Sequence, residues 1–342
     1  MSTKFLSPGW RMPRNANQSK SSNYSLDFDG SSDYIDIVNS STAPAIFQNI
    51  GNSNSYSIST WINTLTTAAI PGGANYYWFA LSTILELRRE RVPSTITVKV
   101  PFNLSVNGGK LFFGRSSNYT GSSEKYESTT DVNTGAWVHC VATVNNNTLT
   151  FYINGSLDST HTFTTATGDC SVGTDNVNFN IGARSTDSGA SDAYFGAENG
   201  TAVGGKISNT AIWNVQLTST EVAEIYNAGV PTDLSSFSGT APIAWYPMDG
   251  KKIYYNGSVI VARDAISTND ATGVNLIQEN IEGNAPGSRS NGTGNNLSIT
   301  DLKGDMKTST KNAYSINMAD YGDPNSQGVT PANSGRTTSV PG

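Results

Sequence analysis

The 342-residue chain carries 21 Lys and Arg against 27 Asp and Glu, a formal net charge of −6, and only 14% of its residues are charged, well under the roughly 25% of an ordinary soluble domain. Ser, Thr and Asn make up the difference with 43, 38 and 36 copies. This composition excludes a strongly basic nucleic-acid binder and a coiled coil and argues against a helix-rich cytosolic enzyme, while 36% apolar residues still supply a core.

The first twenty residues hold Lys4, Arg11, Arg14 and Lys20 without an acid. Pro8, Gly9 and Pro13 make this arm extended rather than helical, and it lacks the apolar stretch of a secretory signal. It reads either as a solvated terminus or as an extension that docks onto an acidic partner surface. From residue 24 the pattern is strand, turn, strand. Leu26 and Phe28 alternate with polar residues, Asp29-Gly30 makes the turn, and Ile35 and Ile37 resume the alternation. Tyr56, Ile58 and Thr60 share one face of a third strand, with Trp61 on the other. Apolar material returns at Tyr76–Leu81, Ile96–Val100 and Leu111–Phe113. Trp137–Val144 is apolar on both faces and reads as a central, doubly covered strand. Leu149, Phe151 and Ile153 lead to Asn154-Gly155, a strong hairpin signal. Phe179 with Ile181, and Ile207 to Trp213, are further strands, and this spacing of short strands predicts a sandwich or jelly roll.

A helix is predicted at Thr218–Gly229. Thr218 and Glu221 form a capping box, Val222, Ile225 and Tyr226 share one face, and Gly229 with Pro231 stops it. Its expected job is to cap one sheet. A further β-like stretch spans Ile253 to Ala262. From about Gly283 onward Ser, Thr, Asn, Gly and Pro dominate, which predicts a disordered or loosely β tail. No window approaches the roughly 18 consecutive apolar residues of a membrane span. Cys140 and Cys170 allow one disulfide but neither a disulfide-dense scaffold nor a four-cysteine zinc site.

Taken in order, Leu26-Asp27-Phe28-Asp29-Gly30, Ser57–Trp61, Trp137-Val138-His139, Tyr152-Ile153-Asn154-Gly155, Phe179–Gly182, Gly205-Lys206-Ile207, Ile212-Trp213-Asn214 and the Thr218–Gly229 helix resemble the concanavalin-A-like, laminin-G-like jelly rolls over residues 24–250. That resemblance implies two packed antiparallel sheets and a binding or adhesion module. The basic arm, jelly roll and polar tail together also resemble tail-fibre, appendage and head-decoration proteins of bacterial viruses, a likeness of organisation rather than of motif.

His139 lies mid-strand, where a packed, hydrogen-bonded imidazole is the expected state. His161 lies in a Thr-rich loop and is expected to be solvated. Glycoside hydrolysis needs two carboxyls about 5–10 Å apart, and the E-x-D-x-x-E strand of sugar-cleaving relatives is missing. Glu86 and Glu90, around Arg88, Arg89 and Arg91, read as a solvated face or an ion-pair ladder. The loop Asp187–Asp192 before Tyr194-Phe195 offers hard oxygen ligands for calcium and an aromatic to stack on a sugar, although a plain polar turn is the favoured reading of it. Asp29, Asp33 and Asp36 form a similar cluster. Trp61, Trp137 and Trp213 are expected in the core, which leaves Trp78 as a ligand-facing aromatic.

The expected architecture is therefore all-β: a basic arm at 1–22, a two-sheet antiparallel jelly-roll sandwich with one short capping helix at 23–282, and an extended polar tail at 283–342. The expected role is that of a virion structural protein of a bacterial virus, a displayed jelly roll with weak carbohydrate-binding or host-adhesion capacity. It would have no catalytic residues and no cofactor other than calcium at most. The candidate ligand residues are Asp187, Asp192, Tyr194 and Trp78, and Lys4, Arg11, Arg14 and Lys20 form the docking arm. Expected partners are other virion proteins, further copies of the chain and host-surface glycans, with neither nucleic acid nor membrane insertion. The competing readings are a cell-surface or secreted carbohydrate-binding adhesin, and a glycosidase on the same fold.

Overall fold

Strict alternation decides which side of each strand faces inward, because successive side chains point to opposite faces of a sheet. The structure is a computed structural model and describes residues 24–40, 47, 50, 54–67, 82–89, 99–117, 123–164, 170, 177–185, 191–198, 201–248 and 252–287. Lys20–Gly287 forms one compact unit. Met1–Ser19 and Ser288–Gly342 lie outside the described residues.

The first strands are β1 (Ser25–Phe28), β2 (Tyr34–Ser40), β3 (Ser55–Thr64), β4 (Ser82–Arg89), β5 (Lys99–Asn107), β6 (Lys110–Ser116) and β7 (Ser123–Asp131). Next come β8 (Val138–Asn145), β9 (Thr148–Ile153), β10 (Ser156–Thr162) and β11 (Val177–Ile181), then the short β12 (Arg184–Ser185), β13 (Ser191–Asp192), β14 (Ala197–Glu198) and β15 (Thr201–Ala202). The long β16 (Gly205–Trp213) precedes the helix α1 (Ser219–Tyr226), followed by β17 (Ala244–Tyr246), β18 (Ile253–Tyr255), β19 (Ile260–Ala262), β20 (Ala271–Val274) and β21 (Ile281–Glu282).

Two antiparallel sheets result. One has eight strands in the order β10-β9-β8-β3-β16-β1-β21, with β17 also on β16, and the other has nine in the order β18-β19-β20-β2-β11-β4-β5-β6-β7. They pack as a jelly-roll sandwich. Leu26, Phe28, Ile58, Ile62 and Cys140 of the first form one buried cluster with Leu85, Leu87, Phe102, Leu104 and Phe179 of the second.

The eight-stranded sheet is buried on its outer side as well. Val141, Tyr152, Ala211 and Trp213 pack there against Val222 and Ile225 of α1 and against Leu234 and Trp245. This is the double cover that the run at Trp137–Val144 predicts, and α1 caps the sheet. The capping box forms: the Thr218 N–H donates to Glu221 Oε2 at 2.7 Å and the Glu221 N–H to Thr218 Oγ1 at 3.3 Å. The helix ends earlier than predicted, at Asn227, whose left-handed conformation (φ 45°) caps it two residues before Gly229. Asn serves here because its short polar side chain tolerates that region. At Asn154-Gly155 both residues have positive φ, 51° and 78°, as a two-residue hairpin between right-twisted strands requires.

Cys140 and Cys170 are both buried, and no disulfide joins them. Two other expectations are corrected. Trp137 lies outside the core: it is half-buried, and its indole N–H donates to Asn284 Oδ1 at 3.0 Å. His161 stands in β10 rather than in a loop and is half-buried; it stacks on Tyr126 with ring centres 4.6 Å apart and has Nε2 3.1 Å from the Glu127 carbonyl. The edges of the two sheets are clasped beside it. Asp158 of β10 accepts the backbone N–H groups of Thr129 and Thr130 in β7, at 2.6 and 2.9 Å.

Candidate functional site

Three neighbouring strands of the eight-stranded sheet build an open cleft of about 400 Å³ at one corner. In register, Asp27 of β1 lies opposite Lys206 of β16, which lies opposite Asn63 of β3. Their neighbours Leu26, Ile207 and Ile62 are in the core, so alternation turns this polar row outward. Lys206 Nζ is 2.7 Å from Asp27 Oδ1 and 3.6 Å from Glu282 Oε2. The apolar rim is Leu65, 62% exposed, and Val203, 42% exposed. Between them the backbone of Gly204 and Gly205 is open to the cleft. A Cβ on Gly205 would lie 2.7 Å from the Phe195 ring and 3.0 Å from the Asn63 carbonyl, so the close approach of β3 and β16 to Phe195 requires glycine.

Asp29 closes one end. Its Oδ1 accepts the backbone N–H groups of Ser31 and Ser32, each at 2.8 Å, and of Asp33 at 3.1 Å, and both serine hydroxyls donate to its Oδ2. Burial opposes the charge, but these bonds outweigh it and hold the carboxyl well below the usual range. Asp33 behaves oppositely. Burial, and then the Asp29 charge, push its carboxyl up to about 6.

His139 is structural. It is fully buried, its Nε2 lies 2.8 Å from Ser59 Oγ, and its ring packs against Trp61 and Tyr226 with centres 4.9 and 5.8 Å away. Burial lowers its pKa to about 3. Among the described residues Nδ1 has no hydrogen-bond partner, and none of them supplies the carboxylate that would orient a catalytic imidazole.

The outer face of the nine-stranded sheet corrects the reading of Glu86 and Arg88. Both are buried, 1% and 6% exposed, because Leu85 and Leu87 take the core side and leave them on a covered polar face. Across that face Asp36, Asn180, Glu86 and Asn103 fall in one row of register. Asn103 Nδ2 donates to Glu86 Oε2 at 2.9 Å, and Arg88 Nη1 is 3.9 Å from Glu86 Oε1. Two strand spacings put the Asp36 and Glu86 backbones about 10 Å apart. Glu86 is thus held within the fold by a hydrogen bond on Oε2 and an ion pair at Oε1. Glu90 and Arg91 lie outside the described residues.

Among the residues predicted to bind ligand, Asp187 and Trp78 lie outside the described residues, as do Lys4, Arg11, Arg14 and Lys20. The backbone of Asp192 pairs with Arg184. Tyr194 is half-buried, with its ring centre 6.4 Å from that of Tyr34; it does not line the cleft, whereas its neighbour Phe195 supports the floor beneath Gly205 and packs edge-on to Phe28. Of the described residues that follow the predicted loop, Phe195 is the one that lies beneath the cleft floor. No group of three or more His, Cys, Asp or Glu side chains gathers to hold a metal among the described residues. Sequence reasoning missed Asp27, Asn63, Leu65, Val203 and Lys206 as site residues. Alternation marks Asp27 and Lys206 as outward-facing, but only strand pairing shows that they meet.

Residues 29–223, more than half of the chain, match the profile of the Laminin G 3 family, described as the Concanavalin A-like lectin/glucanases superfamily. No curated protein matches the sequence. Among solved structures, a candidate carbohydrate binding protein from Bacteroides ovatus is similar at 17% identity over 78% of this chain, with a TM-score of 0.45. The match covers 61% of that protein, so the chain spans about three fifths of its length. The CBM40 of the Ruminococcus gnavus IT-sialidase, bound to α2,3-sialyllactose, is similar at 12% identity over 50% of this chain and 82% of its own, with a TM-score of 0.37. The heptameric SAP-like pentraxin of Limulus polyphemus is similar at 14% identity over 72% and 88%, with a TM-score of 0.36.

Proposed function

The chain belongs to the Concanavalin A-like lectin/glucanases superfamily, and we propose that it is a non-catalytic carbohydrate-binding domain whose sugar site is the cleft where β1, β3 and β16 meet. The cleft itself carries the reading. A sugar ring presents hydroxyls at its edge and C–H groups on its faces, and a site for it combines a few placed polar groups with apolar surface. Asp27, Asn63 and Lys206 supply acceptors and donors in one row, Leu65 and Val203 supply the apolar rim, and Gly204-Gly205 leaves backbone groups within reach.

An oligosaccharide array followed by calorimetry tests this. Binding that falls about tenfold or more in Asn63→Ala, the loss of one hydrogen bond to ligand, supports the assignment; unchanged binding in that variant places the sugar elsewhere. The site suits an adhesin or other outward-facing module. Among the described residues no helix is long and apolar enough to cross a membrane. The virion role rests on the terminal segments, and nothing in the described body favours it over an adhesin.

A further inference from the structure

The charges around the cleft go beyond what sugar binding requires. Among the described residues Lys206 is the only cation lining it, against Asp27 and Asp29. Lys206 is already engaged on two sides, by Asp27 at 2.7 Å and by Glu282 at 3.6 Å. Asp29 keeps its charge through bonds from the Ser31, Ser32 and Asp33 amides, so the wall it forms is a fixed anion. The chain as a whole has the same sign, at −6, and its field opposes the approach of anions. A carboxylate or sulfate entering the cleft would face two like charges and find its one cation paired. Neutral hydroxyls meet the opposite situation, because they can donate to Asp27 without displacing Lys206 from it.

We infer that the cleft selects uncharged glycans and discriminates against sialylated, sulfated and uronic-acid forms of the same glycans. This rests on the reading of the cleft as a sugar site and adds a charge rule to it. The same geometry identifies the device that sets the rule: Asp27 and Glu282 hold Lys206 back from ligand. Removing both charges frees an ammonium at the centre of the row and abolishes or inverts the preference.

The test uses the full chain on an array of neutral oligosaccharides, each paired with its sialylated, sulfated or uronic-acid counterpart. It is repeated with the Asp27→Asn/Glu282→Gln double variant, whose melting temperature controls for folding. We expect neutral members to bind wild type about tenfold or more tightly than their acidic counterparts, the ratio that one unrelieved like charge at the edge of a protein surface produces. The double variant should close that gap or reverse it. Acidic forms that bind wild type as well as neutral ones overturn the charge rule and leave sugar binding standing. An unchanged ratio in the folded double variant overturns the role of Asp27 and Glu282. If no member binds wild type, the carbohydrate reading itself fails.

Discussion

Asp29 and Asp33 cap one another. The Asp29 N–H donates to Asp33 Oδ2 and the Asp33 N–H donates to Asp29 Oδ1, both at 3.1 Å. Asp33 Oδ2 also accepts Asn280 Nδ2 at 3.2 Å, which ties this turn to the segment leading into β21. Two carboxyls share one turn, and their environments move their pKa values in opposite directions.

The sign of the Asp33 effect follows from linkage. Its carboxyl is raised from 3.8 to about 6 in the fold, so the native state binds the proton more tightly than the unfolded state. Its contribution to stability is complete below pH 3.8 and is lost as pH rises through about 6. Asp33→Asn, which keeps an acceptor for the Asp29 N–H, should be more stable than wild type at pH 7, with the gap closing below pH 4. Urea denaturation at a series of pH values measures this, and a pH-independent gap contradicts it.

His139 acts in the other direction. Burial lowers its pKa from 6.5 to about 3, so the unfolded state binds the proton first. The stability of the neutral, buried ring is present above pH 6.5 and is lost progressively as pH falls toward 3. Ser59→Ala should cost about 1–3 kcal/mol at neutral pH by leaving Nε2 buried without its partner. His139→Gln should flatten the acid limb of the stability profile. A limb of unchanged slope in that variant would assign the acid sensitivity to other groups.

Gly205 keeps the cleft floor low. Gly205→Ala places a Cβ against the Phe195 ring and the Asn63 carbonyl. The expected cost is about 1–3 kcal/mol of stability, as for other overpacked positions, together with loss of sugar binding. Thermal unfolding and calorimetry read the two effects separately, and full binding in the folded variant contradicts the floor assignment.

Asp158 protects a sheet edge. Its carboxylate receives the Thr129 and Thr130 amides, which would otherwise stand open on an edge strand and invite pairing with another chain. Asp158→Ala should speed hydrogen exchange at those two amides and raise self-association at high concentration. Exchange rates equal to wild type would show that the clasp does not protect the edge.

The non-catalytic reading also has a direct readout. Because Asn103 and Arg88 occupy Glu86, the purified chain should release no new reducing ends from polysaccharides, whether or not they bind. Release that Glu86→Gln abolishes would replace this reading with a glycosidase that uses Asp36 and Glu86.

The sequence by itself determined everything that local periodicity and local hydrogen bonding decide. Alternation at Leu26 and Phe28, the Asn154-Gly155 turn, and the Thr218–Glu221 box each act within a few residues, so each is legible without a fold. The resemblance in motif order supplied the two-sheet architecture, and its family is the one the chain belongs to. Tertiary structure alone decided the rest. Asp27 meets Lys206 across 179 positions of chain, and no local pattern encodes which strands pair. Glu86 and Arg88 have the spacing of a solvated face, yet they are buried on the polar side of the nine-stranded sheet. Alternation states that two residues share a face, but what covers that face depends on segments distant in sequence. The cleft follows the same rule: its polar row, its apolar rim and its glycine floor come from three strands that lie together only once the sheet has formed.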